Sequence, residues 1–231
     1  EDLDCPPLFE VNDMHARARV WNSLHGSVIE TEEGDLKDFP YLKETIIQFK
    51  PDTIIHFAEQ PSAPYSMSGI NEAQFTLTNN LLGTLNLAYA VKEIDPDIHI
   101  IKLGTMGEYG TPDIDIEEGF IRIHHKGRDD EFLFPRQASS LYHTTKIQDT
   151  DLLFFYVRTA GLRVTDLMQG PVYGFWVPEM GDSSEFVTFF NYDAIFGTVF
   201  NRFLVQAVAE VPLTIYGKGN QRRGYLNLID T

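Results

Sequence analysis

The sequence predicts an α/β protein in which helices pack on a parallel sheet, and three observations carry that reading. Short apolar runs alternate with longer amphipathic segments along the chain, the order expected of βαβ units. The apolar runs Thr53–Phe57 and His99–Gly104 are nearly continuous rather than alternating, as strands covered on both faces are. The 231 residues are 43% hydrophobic and contain one cysteine, enough apolar material for a real core without disulfide support.

The elements follow in order. Asn12 is placed to cap a helix from Asp13 to His25 that Gly26 ends, and Ser27 to Glu30 reads as a strand. Phe39 to Phe49 is a helix stopped before Pro51. Thr53 to Phe57 is a buried strand running into a loop from Glu59 to Pro64. Asn71 to Glu93 is a long helix, and His99 to Gly104 a strand whose carboxyl end is Thr105-Met106-Gly107-Glu108-Tyr109-Gly110. Pro112 to Pro135 is a polar, hairpin-like insertion at that edge, where insertions usually cover a site. Ala138 to Ala160 is a second long helix closed by Gly161, followed by a strand from Leu162 to Met168. A helix from Phe196 to Ala209 and strands at Leu213–Tyr216 and Tyr225–Leu228 complete the chain. No strand is followed by G-x-x-G-x-x-G or G-x-G-x-x-G, the loop on which a dinucleotide pyrophosphate normally sits. With the stop at Thr231 directly after a strand, this reads as a chain cut at both ends.

Charge narrows the partners. A net charge of −16 and a pI near 4.7 give no global attraction for nucleic acid or anionic lipid. The lone Cys5 suits a reducing compartment. No stretch reaches the roughly 20 apolar residues of a membrane span, and the acidic start is neither a signal nor a transit peptide. The expectation is a soluble protein.

The sharpest chemical signal is Tyr142-His143-Thr144-Thr145-Lys146, which puts Tyr142 and Lys146 on one helix face; taken alone, that spacing reads as an ordinary helix surface pair. A phenol with a pKa of about 10 needs a nearby cation to act near neutral pH, and Lys146 is placed to supply it. The same ammonium can hydrogen-bond ribose hydroxyls. Thr105 ends a strand where such sheets gather ligands; read alone, it is a turn residue. Glu108 reads equally as a catalytic carboxylate or as a structural acceptor in the turn. His56 and His99 lie in apolar strands as core residues, and His124 and His125 face opposite sides of a strand, so no metal site is expected. Asp113, Asp115, Glu117 and Glu118 alternate with isoleucine like an exposed edge rather than a calcium loop.

Several motifs occur together: Gly34-Asp35-Leu36, His56-Phe57-Ala58-Glu59, Asn79-Asn80, Leu85-Asn86, Lys102-Leu103-Gly104-Thr105 and Tyr142 to Lys146. In this register the chain resembles the extended short-chain dehydrogenase/reductases that act on nucleotide sugars. Glu59-Gln60, Ser62 to Met67, Leu103 to Pro112, Ile114 to Gly119, Tyr192-Asp193-Ala194, Phe196-Gly197-Thr198, Asn201-Arg202-Phe203 and Tyr216 to Gly219 are similar to the UDP-sulfoquinovose synthase family within that group. The resemblance implies a Rossmann-type doubly wound sheet. Its NAD-binding domain would span residues 1–169, and residues 170–231 would be mostly substrate-binding. It implies NAD oxidising C4 of UDP-glucose, loss of water from C6, addition of sulfite, and return of the hydride to C4.

Carried onto this sequence, the resemblance makes Tyr142 the base, Lys146 its helper and Thr105 the hydroxyl partner. His143 would help to receive sulfite, whereas a lone helix histidine is ordinarily packed or solvated. Cofactor contacts implied are Asp35, Leu36, Phe57, Ala58, Glu59 and Asn79 with Tyr142 and Lys146; Asp35 reads equally as a cap for the helix starting near Asp38. Substrate contacts implied are Gln60, Gln169, Thr198, Asn201, Arg202, Thr214, Tyr216, Gln221 and Arg223, with Arg223 best matched to a diphosphate. The resemblance also implies a homodimer through the two long helices, in the cytoplasm or a plastid.

The chain departs from the family pattern around the sugar site. Pro61 stands where an arginine is usual, Met168 where an asparagine is, Pro171 where a small aliphatic residue is, and Asn227 and Ile229 where Asp and Arg are. A UDP-sugar 4-epimerase, a 4,6-dehydratase or a truncated non-catalytic copy are the alternatives. Met106-Gly107 after Thr105, in place of an acidic pair, disfavours the dehydratase.

Overall fold

The computed structural model describes residues 11–26, 28–117, 119–219 and 222–231. The chain divides into two compact units, Asp35–Gln169 and a second one made of Glu1–Gly34 with Gly170–Thr231. The sequence reading grouped 1–169 together; the partition instead joins the opening helix to the later segment. Trp21 meets Phe186 edge-on at 5.9 Å, and Asn12 bonds Glu185 through its amide.

In the Asp35–Gln169 unit, α2 (Phe39–Phe49), β1 (Thr53–His56), α3 (Ala63–Ser66), α4 (Ile70–Ile94), β2 (His99–Leu103), α5 (Leu141–Ala160) and β5 (Arg163–Leu167) form an α/β layer. Its parallel sheet has the order β1-β2-β5, with Ile54 opposite Ile100, Ile100 opposite Val164, and Lys102 opposite both His56 and Asp166. The expected parallel α/β class is therefore what the structure has. Alternate strand residues Ile54, His56, Ile100 and Lys102 turn inward, the period of two that a strand imposes. The apolar ones join Leu42, Ile46, Leu87, Val91, Leu153 and Tyr156 in one core. Small residues on α4, Gly83, Ala88 and Ala90, are buried where the long helices and the sheet approach closely.

Local chemistry sets the helix ends. Asp38 caps α2, its carboxylate accepting from the Tyr41 amide at 3.1 Å, and Ser140 caps α5 by accepting from the His143 amide at 3.1 Å. Gly161 closes α5 in the left-handed conformation. The predicted helix from Ala138 therefore starts three residues later, at its serine cap. Within the loop expected from Glu59 to Pro64, Ser62 caps the short helix α3. The insertion is a hairpin, β3 (Phe120–His125) antiparallel to β4 (Arg128–Leu133), turned by Lys126 and Gly127 with both φ positive.

In the other unit, α1 (Met14–His25) is capped by Asp13, whose carboxylate takes the Ala16 amide at 2.6 Å, and not by Asn12. No strand forms over 28–30, because Ile29 exchanges both backbone hydrogen bonds with the Asn22 side chain at 2.6 and 2.9 Å; Ser27 lies outside the described residues. Nor do residues 213–216 form a strand. The Thr214 amide and hydroxyl bond the Gln206 side chain on α6 (Val199–Val208) instead of a neighbouring strand. The last predicted strand shrinks to β7 (Leu226–Asn227), parallel to β6 (Val172–Tyr173).

Candidate active site

The site grows from the carboxyl ends of β1 and β2 and the first turns of α5. After β2 the chain turns through Gly104 and Thr105 into a 3₁₀ turn, Met106–Tyr109. Thr105 caps that turn, its hydroxyl oxygen accepting from the Gly107 amide at 3.1 Å. The turn role, read from the sequence, is what the structure has, and it leaves the hydroxyl proton to donate. Gln169 joins this corner through its backbone carbonyl, which accepts from the Met106 amide at 3.1 Å.

Tyr142 stands in the first turn of α5, its amide donating to the Ser66 hydroxyl at 3.1 Å. Lys146, one turn on, is 3% exposed, and its ammonium lies 5.8 Å from the Tyr142 ring centre. That ammonium donates to the Leu103 carbonyl at 2.5 Å and pairs with a Glu59 carboxylate oxygen at 2.6 Å. Burial raises the Tyr142 pKa, and the carboxylates of Glu59, Glu108 and Asp149 raise it further. This reverses the expected direction: burial first, and then the carboxylates led by Glu59, disfavour the phenolate that the lysine was to favour.

His143 packs beside Tyr142, ring centres 5.1 Å apart, with Nδ1 2.9 Å from the Ser140 hydroxyl. Its ring occupies the place where Gly107 lacks a side chain; a Cβ there would lie 2.3 Å from Nε2. Asp149, three residues beyond Lys146, is fully buried, with a pKa raised well above the ordinary carboxyl value by burial and by Glu59. His56 is 2% exposed and 3.0 Å from the Thr84 hydroxyl; burial, then Lys146 and Lys102, pull its pKa down to about 4. It is a core residue, as its strand position suggests. His99, expected in the core too, is only half-buried, because it points to the opposite face of the sheet, where it meets the Thr165 hydroxyl at 2.8 Å.

The other proposed cofactor residues lie in the same unit. Phe57 and Ala58 are exposed at the end of β1, and Asn79 is half-buried on α4. Asp35 does not cap α2. Its carboxylate accepts from the Lys37 amide at 2.9 Å, which holds its pKa below the usual range, and pairs with the Lys37 ammonium at 3.3 Å. Leu36 packs on Gly83. Gln60, expected to touch substrate, is buried. Its amide bonds Thr76 at 2.8 Å and the Ser62 backbone, and its own N–H donates to Asn80, so it organises the β1 loop.

In the other unit, Tyr216 and Arg223 line a cavity of about 600 Å³ with Val199, Phe203, Arg222 and Tyr225. Arg202 stacks on Tyr216 at 4.9 Å. Thr198 caps α6, Asn201 bonds the Asn191 carbonyl, and Thr214 bonds Gln206, so these three serve local structure there. Gln221 lies outside the described residues.

Sequence reasoning singled out Glu108 but missed the other charges beneath the site. Lys102, Glu108 and Arg136 have side chains at most 4% exposed, and Asp166 is 4% exposed. Glu108 is thus a structural acceptor, buried between Lys102 at 3.3 Å and Arg136 at 3.0 Å, with burial raising its pKa. The available signal was a lysine two residues after Ile100, on the inward face of an otherwise apolar strand.

A family model, the NAD dependent epimerase/dehydratase family, matches residues 10–231. The chain is 50% identical over 229 residues to the chloroplastic UDP-sulfoquinovose synthase of Spinacia oleracea, an alignment covering 99% of this chain and 48% of the spinach protein. It is 47% identical over 199 residues to the UDP-sulfoquinovose synthase of Sulfolobus acidocaldarius, covering 86% and 50%. The chain thus spans about half the length of these relatives. A UDP-glucuronic acid 4-epimerase from Bacillus cereus, solved with UDP-glucuronic acid and NAD, matches the fold with a TM-score of 0.61 at 22% identity, over 84% of this chain and 50% of that one.

Proposed function

Because the chain belongs to the NAD-dependent epimerase/dehydratase family, we propose that it takes part in making UDP-sulfoquinovose from UDP-glucose and sulfite. The observation that carries this reading is the 50% identity to a synthase of that name, joined to the grouping of Thr105, Tyr142, His143 and Lys146 around one corner. NAD is the proposed cofactor, and when bound it supplies a hydride acceptor and donor. The residues fit it at its ribose end: both Glu59 carboxylate oxygens are buried without a well-directed hydrogen bond, beside the Lys146 ammonium. Ribose hydroxyls would donate to that carboxylate and accept from the lysine. Asp35, Leu36, Phe57, Ala58 and Asn79 are the further cofactor contacts.

Tyr142 removes the proton of the sugar C4 hydroxyl, and Thr105 donates its hydroxyl hydrogen to the same oxygen. Relief of the Glu59–Lys146 pairing frees the ammonium to lower the Tyr142 pKa. His143, seated over Gly107, is the residue proposed to help receive sulfite. The diphosphate reading rests on Arg223, in the aromatic cavity with Tyr216; Gln169, Gln221 and Arg202 are the other substrate contacts proposed.

For a homodimer, α4 offers a stripe of half-exposed Phe75, Leu82, Leu85 and Tyr89, and α5 offers Phe155. Among the described residues no helix is long and apolar enough to cross a membrane. The spinach relative's name places that protein in the chloroplast, and a reducing plastid or cytoplasmic compartment is proposed for this one.

The test is to denature the purified protein, identify released small molecules by mass spectrometry, and then assay with UDP-glucose and sulfite. Released NAD and a sulfite-dependent sulfonated product are expected. A sulfite-independent C4 epimer would instead select the epimerase reading. Neither NAD nor product would overturn both.

A further inference from the structure

We propose that Lys102, which no step above uses, is a positioning residue that fixes where the first turns of α5 present Tyr142 and Lys146 to Thr105. This rests on the reading of those three residues as the reacting set.

Lys102 is fully buried on β2, between His56 and Asp166 in the sheet register. Its ammonium donates to the Lys146 backbone carbonyl at 2.8 Å and to the Thr150 hydroxyl at 2.7 Å, two successive turns of α5. It also meets Glu108 at 3.3 Å, in the turn that Thr105 caps, and Asp166 at 3.4 Å on β5. One cation therefore ties the catalytic helix, the Thr105 turn and two strands to a single point.

The neighbours reinforce this. Thr150 donates to Lys146 O at 3.0 Å and reaches Asp166 at 2.5 Å. A Cβ on Gly104 would fall 2.2 Å from an Asp166 carboxylate oxygen, so the cluster presses directly beneath the residue before Thr105. Arg136 pairs with Glu108 from the far side. Two cations and two carboxylates then balance, which is how buried charges are tolerated. The Lys146 carbonyl already accepts a bond from Thr150 in its own helix, so the lysine bond is an added one whose effect is to locate the helix. A buried Met in its place would fill the volume and leave α5 held by packing alone.

The experiment compares Lys102→Met with Lys102→Met/Glu108→Gln, in which the charge balance is restored. Readouts are thermal stability, amide exchange of the 141–153 segment by mass spectrometry, and kinetics with UDP-glucose and sulfite. The single variant is expected to melt earlier. Its 141–153 amides should exchange about tenfold faster, with 70–94 unchanged, and kcat should fall about a hundredfold, the scale of an ångström-level misplacement, at a KM within about twofold. The double variant should regain stability but neither the slow exchange nor the rate. Recovery of both with stability, or unchanged 141–153 exchange in a folded variant, would overturn the proposal. If the single variant does not fold, the charge-balanced double variant decides. Tyr142→Phe runs beside them: if it retains turnover, the reading of the reacting set fails, while the exchange data still judge Lys102.

Discussion

The two compact units bury their apolar residues very differently. In Asp35–Gln169 the long helices and the sheet enclose Ala88, Ala90, Val91, Ile100 and Leu153 completely. In the unit that contains 170–231, the buried apolar residues among those described are Ala18 and Phe186, and α6 buries none. The first arrangement surrounds its polar groups with close-packed apolar side chains; the second presents aromatic and cationic side chains from loops and one helix. The proposed proton-transfer residues fall in the dense unit, and the proposed diphosphate contact Arg223 in the sparse one.

That contrast can be broken in four places. The largest effect is expected at Tyr142→Phe, which removes the proposed proton acceptor but leaves the fold: turnover should fall about a thousandfold with melting temperature unchanged. Next, Leu153→Ala should cost about 3 kcal/mol in denaturant unfolding, whereas Leu204→Ala, 46% exposed on α6, should cost about 1 kcal/mol or less. Equal losses would show the sparse unit to be packed like the dense one.

A comparable effect belongs to pH. The unfolded His56 takes up a proton near 6.5, whereas the folded one resists until about 4. Its contribution is therefore fully present above 6.5 and is lost as pH falls toward 4, about 3 kcal/mol in all. His56→Gln should remove that slope from stability measured between those pH values; an unchanged slope would place its origin elsewhere. The smallest effect is expected at Arg223→Ala, which should weaken UDP binding by calorimetry about tenfold with stability unchanged. No loss of affinity would remove the cavity around Tyr216 from the proposed diphosphate site.

Most elements of the dense unit were legible because periodicity and caps agree there. Phe39–Phe49 was read to the residue, and the insertion at 112–135 was read as a hairpin. The two predicted strands that do not form share one cause, side chains competing with strands for backbone groups: Asn22 takes Ile29, and Gln206 takes Thr214. At the site, Thr105, Tyr142, His143 and Lys146 were visible as types at helical and strand-end spacing. Their partners were not. Glu59, Asp149, Glu108 and Asp166 meet Lys102 and Lys146 only after three strands and two helices assemble, and no local spacing encodes that meeting.

The contact between Gly107 and the His143 ring makes these two positions one object, a ring and the hollow it fills. Any side chain at 107 would evict the imidazole, whereas a change at 143 would leave the hollow open to water. Gly107→Ala would thus move the imidazole while keeping every atom of it, separating what the histidine is from where it stands.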